Sequence, residues 1–414
     1  MRTIGYLIPE FPGQTHVWMW REIAHLREWG LPVRIYSTRP PPDRDRARHA
    51  FAADAEREAV FLWPRRLTEV AGAVAWAMFT RPVALLKCVG LGFSLPVNTG
   101  PAWRTVLPLV VPACVLARDA AKEGVGRLHC QSAKGCAILG MMVRRLIGVP
   151  YSVVINANPD WWGGAMHEKL GESDLIVTHS TWILEQIRHD YPEIEPGRVL
   201  RAPVGVDTRR WLPRGNESAG APRPFRVVTV GRLHPNKQHD LVIRAVAALA
   251  AAGRDVVLRI VGGGPDEARL RAIVEELGVA ERVTLVGSVS EDRVLDEVRQ
   301  ADAFVMACAE EGLGVVFIEA MSCGLPAVGP RSGGVQEIIS SGENGLLVEP
   351  GSVGAFADAI GSVMDDPGLR DRLGREARRS IVERFDSRLG ARTLFERLSG
   401  AAPAESPAQF AAAT

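Results

Sequence analysis

The chain has 414 residues, with 49 Lys and Arg against 48 Asp and Glu and a formal net charge of +1. That length accommodates two domains of ordinary size, and the near-neutral balance supplies no electrostatic footprint for nucleic acid. Six cysteines (Cys88, Cys114, Cys130, Cys136, Cys308 and Cys323) show no C-x-x-C spacing and no adjoining His cluster. They read as buried reduced thiols of a cytoplasmic protein, neither a disulfide frame nor a metal site.

The N-terminus opens on a short apolar run, 2–8, stopped by Pro9 and Glu10, a first core strand and not a signal peptide. A helix over 15–29 and a strand over 32–36 follow. The stretch 60–122 is apolar and basic, with Trp63, Arg65, Arg66, Trp76, Phe79, Arg81, Lys87, Trp103, Arg104, Arg118 and Lys122. Within it, Arg81, Pro82, Lys87, Pro96 and Pro108 break up the apolar run. No window of about 18 apolar residues remains, and no transmembrane helix is predicted. Two readings stay open for this stretch: core helices of the first domain, or amphipathic helices resting on an anionic membrane and presenting a lipid-linked acceptor. Regular alternation resumes with strand 126–130, helix 133–147, strands 151–155 and 174–178, and a helix after Ser180, a good N-cap.

Residues 215–224 are rich in Gly, Ser, Pro and Ala, as a hinge should be. The predicted organisation is therefore a first domain over 1–206, a linker over 207–224, a second domain over 225–385, and a segment 386–414 with a disordered Ala/Pro-rich end. In the second domain, strands at 225–230, 256–261, 282–286, 303–307, 326–328 and 345–348 alternate with helical patterns at 238–252, 265–277, 290–300 and 354–364. Such βα alternation predicts a parallel sheet covered by helices on both faces, with ligands at the carboxyl ends of the strands. Arg232, Gly262 to Gly264, Gly287 and Glu311 all follow strand ends.

The run from Glu310 to Pro326 places Glu311 and Glu319 eight positions apart around a helix start predicted over 314–323. Were all eight steps helical, the rise would be about 12 Å, too far for two carboxylates flanking one bond but suited to two ends of one elongated ligand. Gly312 and Gly314 let the backbone come close, and the N–H groups of a helix N-terminus attract phosphate. Arg232 and Lys237, five residues apart after a strand, make a plausible diphosphate clamp. Only five of the 49 basic residues are lysines, so Lys237 is the rarer choice. The pattern suggests a nucleotide sugar, with paired surface charges as the bland alternative.

The run E-G-x-G-x-x-x-x-E-A-M-x-C-G-x-P resembles the donor-site motif of retaining glycosyltransferases of family 4, which have the GT-B fold. Gly231-Arg232-Leu233 through Lys237 resembles the family's G-R-L-x-x-x-K-G segment, with Gln238 where Gly is usual, and Asp207 to Pro213 resembles its linker entry. Glu10-Phe11-Pro12-Gly13-Gln14-Thr15-His16, with Trp20 to Ile23, resembles the branch associated with bacterial exopolysaccharides such as colanic acid.

The resemblance implies two Rossmann-like doubly wound α/β domains facing each other across a cleft, a UDP- or GDP-linked sugar as co-substrate, and no metal or other cofactor. It implies Arg232 and Lys237 on the donor diphosphate, Glu311 on the hydroxyls of the transferred sugar and Glu319 on the ribose. Gly13, Gly231, Gly262, Gly264, Val289, Gly312, Leu313, Gly314 and Val315 are implied as donor contacts, Val289 through the Gly287-Ser288-Val289 turn that meets the base. His16, Asn156 and Glu10 are acceptor or transferred-sugar candidates. For His16 helix-start packing, and for Gly262 and Gly264 a plain tight turn, are the alternatives.

Asn156 stands where many members carry a histidine. Asparagine can donate a hydrogen bond but carries no proton charge, which leaves it a neutral contact to the sugar or, with Asn158, a shaper of the turn before Pro159. Same-face substitution, with the leaving phosphate taking the acceptor proton, is the mechanism implied. The acceptor would be a saccharide or a lipid-linked molecule, with peripheral membrane contact through 60–122, and the base, sugar, acceptor and oligomeric state are not specified. A natural-product glycosyltransferase, an inert sugar-binding subunit, a phosphorylase and an epimerase are the rivals. A nicotinamide-dependent dehydrogenase lacks its G-x-G-x-x-G after the first strand, where Pro9-Glu10-Phe11-Pro12 stands.

Overall fold

The computed structural model describes residues 1–214 and 223–401. Residues 215–222 of the hinge predicted over 215–224, and the tail from 402 onward, lie outside the described residues. The chain forms two compact units: Met1–Arg46, Phe51–Pro203 and Gly390 onward make the first, and Ala47–Ala50 with Val204–Leu389 the second.

The first unit holds a seven-stranded parallel sheet. Its strands are β1 (Thr3–Ile8), β2 (Val33–Ser37), β3 (Val60–Phe61), β4 (Val125–Cys130), β5 (Tyr151–Ile155), β6 (Leu175–Thr178) and β7 (Val199–Arg201), in the order β3-β2-β1-β4-β5-β6-β7. β5 and β6 read as unbroken apolar or buried runs because helices cover both faces. One face packs against the helices Leu67–Thr80, Val110–Lys122 and Gly135–Ile147. The other packs against the helix Val17–Glu28 and, through Ala391, Leu394 and Phe395, against the C-terminal helix Ser387–Ser399. Ser180 caps the helix Thr181–Asp190 by accepting from the Ile183 N–H at 3.3 Å, as its sequence position predicted.

The second unit holds six parallel strands: β8 (Phe225–Val230), β9 (Val256–Val261), β10 (Val283–Gly287), β11 (Ala303–Val305), β12 (Ala327–Pro330) and β13 (Leu346–Val348). Their order, β10-β9-β8-β11-β12-β13, is that of a doubly wound sheet. In it β8 pairs with β9 on one side and β11 on the other, so the winding direction reverses between β8 and β11. A crevice opens outside the carboxyl ends at such a reversal. The first unit reverses in the same way between β1 and β4.

The stretch 60–122 folds into helices packed on the first sheet, yet it leaves much apolar surface exposed. No single helix among the described residues is long and apolar enough to cross a membrane. The pair Leu67–Thr80 and Pro82–Ser94 passes the same test only together, bent by 113°. All six cysteines are buried and unpaired.

Candidate functional site

At the β8/β11 reversal the second unit brings three predicted residues to one rim. β8 ends at Val230 and runs into Gly231 and Arg232. A short 3-10 turn, Pro235–Lys237, then leads to the helix His239–Ala251. The turn is braced to the loop after β11, because the Ala309 N–H donates to the Asn236 carbonyl at 2.9 Å. Across that brace the Lys237 ammonium donates to Glu311 Oε2. Both side chains are largely buried, 22% and 18% exposed. Burial disfavours the Lys237 ammonium, but the adjacent Glu311 carboxylate outweighs it and holds the lysine above its ordinary pKa. The pair is thus a preformed dipole at the crevice, with the lysine cationic.

The helix Val315–Ser322 starts beside this pair. Gly314, at φ 97°, occupies the N-cap in the left-handed region that favours glycine, and no side chain caps the first turn. Glu319 lies one turn further along, half-buried. The glycine loop after β9 is held equally close. A Cβ on Gly262 (φ 143°) would lie 1.9 Å from the Gly231 carbonyl, and one on Gly264 would lie 2.2 Å from the Leu233 carbonyl. Here glycine is required by backbone crowding against the Arg232 loop. Gly262 also donates to Gly287 O at 2.9 Å, which ties the loop to the turn carrying Val289.

Several contributors are not evident in the motif. The Gly334 N–H donates to Glu311 O at 2.8 Å, and a Cβ on Gly333 would come within 2.5 Å of that oxygen, so the loop after β12 fixes the Glu311 backbone. A glycine pair separated by two residues from the end of β12 was the available signal. His239 is fully buried behind Gly231, and burial lowers its pKa to about 4. Glu310 Oε1 is buried without a hydrogen-bond partner.

In the first unit the loop after β1 carries Glu10, Gly13 and His16. Glu10 is ion-paired with Arg39. His16 Nδ1 accepts from the Gly13 N–H at 3.0 Å and its ring stacks on Phe11, while burial lowers its pKa to about 4. The histidine braces its own loop. Asn156 follows β5 directly and is half-buried.

The loop after β4 supplies two residues that pattern reading passed over. Lys134 is exposed there, so two of the five lysines, Lys134 and Lys237, sit on the loops at the two reversals. Gln131 is buried: its Nε2 donates to the Tyr6 hydroxyl, which donates in turn to Glu22, and Gln131 Oε1 has no partner. Burial pushes the Glu22 carboxyl up to about 7. Among the described residues no group of three or more His, Cys, Asp or Glu side chains is placed to hold a metal ion.

The two doubly wound units make the fold that of GT-B glycosyltransferases. Over 97% of the chain it resembles HepE from Anabaena in complex with UDP (TM-score 0.71, 17% identical, all of that chain covered) and a sucrose-phosphate synthase from Thermosynechococcus elongatus (TM-score 0.74, 18% identical, 99% of that chain). Residues 216–380 match the family model of Glycosyl transferases group 1.

Among curated proteins, the chain is similar to the GDP-mannose-dependent alpha-(1-6)-phosphatidylinositol monomannoside mannosyltransferase of Mycolicibacterium smegmatis. The two are 36% identical over 212 residues, 48% of this chain and 55% of that protein. It is also similar to a D-inositol 3-phosphate glycosyltransferase of Rhodococcus jostii, 34% identical over 222 residues, 51% of this chain and 49% of that protein. The chain thus spans about half the length of these curated relatives.

Proposed function

We propose that the protein is a retaining glycosyltransferase that moves a sugar from a nucleoside-diphosphate donor, UDP- or GDP-linked, to a saccharide or lipid-linked acceptor. The single observation that carries this reading is the Lys237–Glu311 pair at the β8/β11 reversal, beside an uncapped helix start in the part that matches Glycosyl transferases group 1. Arg232 and Lys237 offer a guanidinium fork and a point charge to the diphosphate. The open N–H groups at Val315 and the backbone of Gly312, Leu313 and Gly314 add donors without side-chain obstruction. Glu311, in the loop before the helix Val315–Ser322, holds hydroxyls of the transferred sugar, and Glu319, within that helix, the ribose. Val289 and the glycines Gly231, Gly262 and Gly264 complete the donor surface.

The chemistry follows from charge. As the bond from the sugar's anomeric carbon to the diphosphate breaks, negative charge grows on the leaving oxygens, where Arg232 and Lys237 are worth most. The acceptor oxygen attacks the same face, and its proton passes to the departing diphosphate. Glu311 is held as the partner of Lys237, which favours a hydroxyl-binding role over that of a free base. No metal or other cofactor is needed in this scheme. Acceptor contacts fall to the first unit, with Glu10, Gly13, His16 and Asn156 on the loops at its strand ends, and Gln131 and Lys134 beside them.

For the acceptor class, the phosphatidylinositol mannoside and inositol phosphate activities of the relatives favour a polyol headgroup, free or on a lipid, over the exopolysaccharide branch suggested by residues 10–23. They also make GDP-mannose the first donor to test. A lipid-linked acceptor fits the surface of the first unit. On the helix Pro82–Ser94, Cys88, Leu91 and Gly92 are buried on one side, while Val83, Leu86 and Phe93 form an exposed stripe on the other, Leu86 70% and Phe93 68% exposed. Phe79, just before the bend, is 82% exposed. Over 62–118 six basic residues (Arg65, Arg66, Arg81, Lys87, Arg104, Arg118) face one acidic residue, Glu69, an excess of five in a chain of net charge +1.

A 13-residue helix is about 20 Å long, short of the bilayer core, so this surface rests in the interface of an anionic membrane. The six unpaired, buried thiols suit the reducing, cytoplasmic side. The protein should co-sediment with vesicles of anionic phospholipid and not with neutral ones. Replacing Phe79 and Phe93 together by Asp should reduce the bound fraction at least fivefold, and unchanged binding would remove the membrane from this account.

The activity itself is tested by incubating the protein with GDP-mannose and UDP-sugars, with and without a membrane lipid extract. Release of the free nucleoside diphosphate is followed, then the anomeric configuration of the product by NMR. Acceptor-dependent release with retained configuration is expected. Phosphate-dependent, nucleotide-free turnover, donor interconversion without acceptor, or no release with any donor would each overturn the assignment.

A further inference from the structure

The second unit includes four residues far from the rest of it in sequence, Ala47–Ala50. Their placement is built: Arg48 Nη1 donates to the Ser288 carbonyl at 2.9 Å, and the Glu291 N–H donates to His49 Nδ1 at 3.0 Å. His49 is buried. Glu291 is the first residue of the helix Glu291–Arg299, whose N-cap Ser290 takes the Arg293 N–H. His49 therefore caps a second of the N–H groups that a helix start leaves without an internal partner. To accept there, the imidazole must be neutral with its proton on Nε2.

What Arg48 and His49 grip is the turn after β10. Its other side rests on the glycine loop: Gly287 accepts from Gly262 N, and Ser288 Oγ fills the space where a Gly263 side chain would stand, 2.5 Å from that Cβ position. β10 lies two strands from β8 in the sheet, roughly 10 Å at ordinary strand spacing. That is the reach from the diphosphate of a nucleotide to its base.

We propose that Arg48 and His49 are positioning residues of the nucleotide site, which hold the Gly287–Ser290 turn where it meets the donor base. Base preference is then set in part by a segment outside the residues that match the family. The inference rests on the proposed donor site. It implies that substitutions at Arg48 and His49 change affinity for nucleotides while leaving affinity for the diphosphate clamp alone.

The test compares calorimetric binding of UDP, GDP, ADP and inorganic pyrophosphate to the full chain and to R48A, H49A and H49N. Asn can accept the Glu291 N–H as a helix cap does. R48A and H49A should weaken the best-bound nucleotide about five- to tenfold and alter its preference over the other two. Pyrophosphate affinity and kcat at saturating donor should stay unchanged, and H49N should restore most of the loss. Equal losses for nucleotide and pyrophosphate, unchanged nucleotide affinity in both alanine variants, or no rescue by H49N would overturn the proposal. If the unsubstituted chain bound pyrophosphate but no nucleotide, the donor reading itself would fall.

Discussion

Replacing Glu311 by Gln removes sugar transfer while the protein stays folded: kcat falls about 10²–10³-fold, the scale of losing one interaction strengthened in the transition state. The carboxylate accepts from the Lys237 ammonium in a largely buried site, so the substitution also leaves that ammonium without its partner. Removing one member of such a pair is destabilising because the other charge stays desolvated. With about a fifth of each side chain exposed, the loss should be about 1–3 kcal/mol. Chemical denaturation of E311Q beside single-turnover kinetics checks both effects.

Lys237→Met should lower kcat by a similar 10²–10³-fold and weaken nucleoside diphosphate binding about tenfold, since the point charge at the diphosphate is gone. The pair then separates structure from function. If the ion pair were only structural, the double variant K237M/E311Q, with no buried charge to leave unpaired, would regain both stability and activity. The account predicts that it regains most of the stability lost by the single variants and none of the transfer. Recovery of turnover in the double variant would show that neither group touches the reaction.

The strands and helices of the second unit were legible because parallel strands covered on both faces must be continuous apolar runs. β8 and β9 fall where Phe225–Val230 and Val256–Val261 predicted them. Arg232, Lys237 and Glu311 were legible as strand-end residues. Their pairing was not, since Lys237 and Glu311 are 74 positions apart and meet only because β8 and β11 are neighbours. Nothing in a local pattern encodes that order.

The same holds for Ala47–Ala50 and for the C-terminal helix, whose Leu394 and Phe395 join the core of the first unit. Both are decided by tertiary contact alone. His16 could be read two ways because a histidine at a helix start has the same spacing whether it binds a ligand or braces a loop; its bond from Gly13 shows the bracing. Gln131 was missed because its significance lies in a chain of hydrogen bonds through Tyr6 to Glu22, 109 positions away in sequence and adjacent in space.

The central claim is that a nucleoside diphosphate binds at the β8/β11 reversal. The most direct measurement is amide hydrogen exchange of the full chain with and without saturating UDP or GDP. Slower exchange in the Gly231–Lys237 and Cys308–Val315 segments is expected, and the nucleotide concentration giving half-maximal protection of these segments should rise about tenfold in the Lys237→Met variant. Protection confined to other strand ends, or no protection with either nucleotide, would contradict the account.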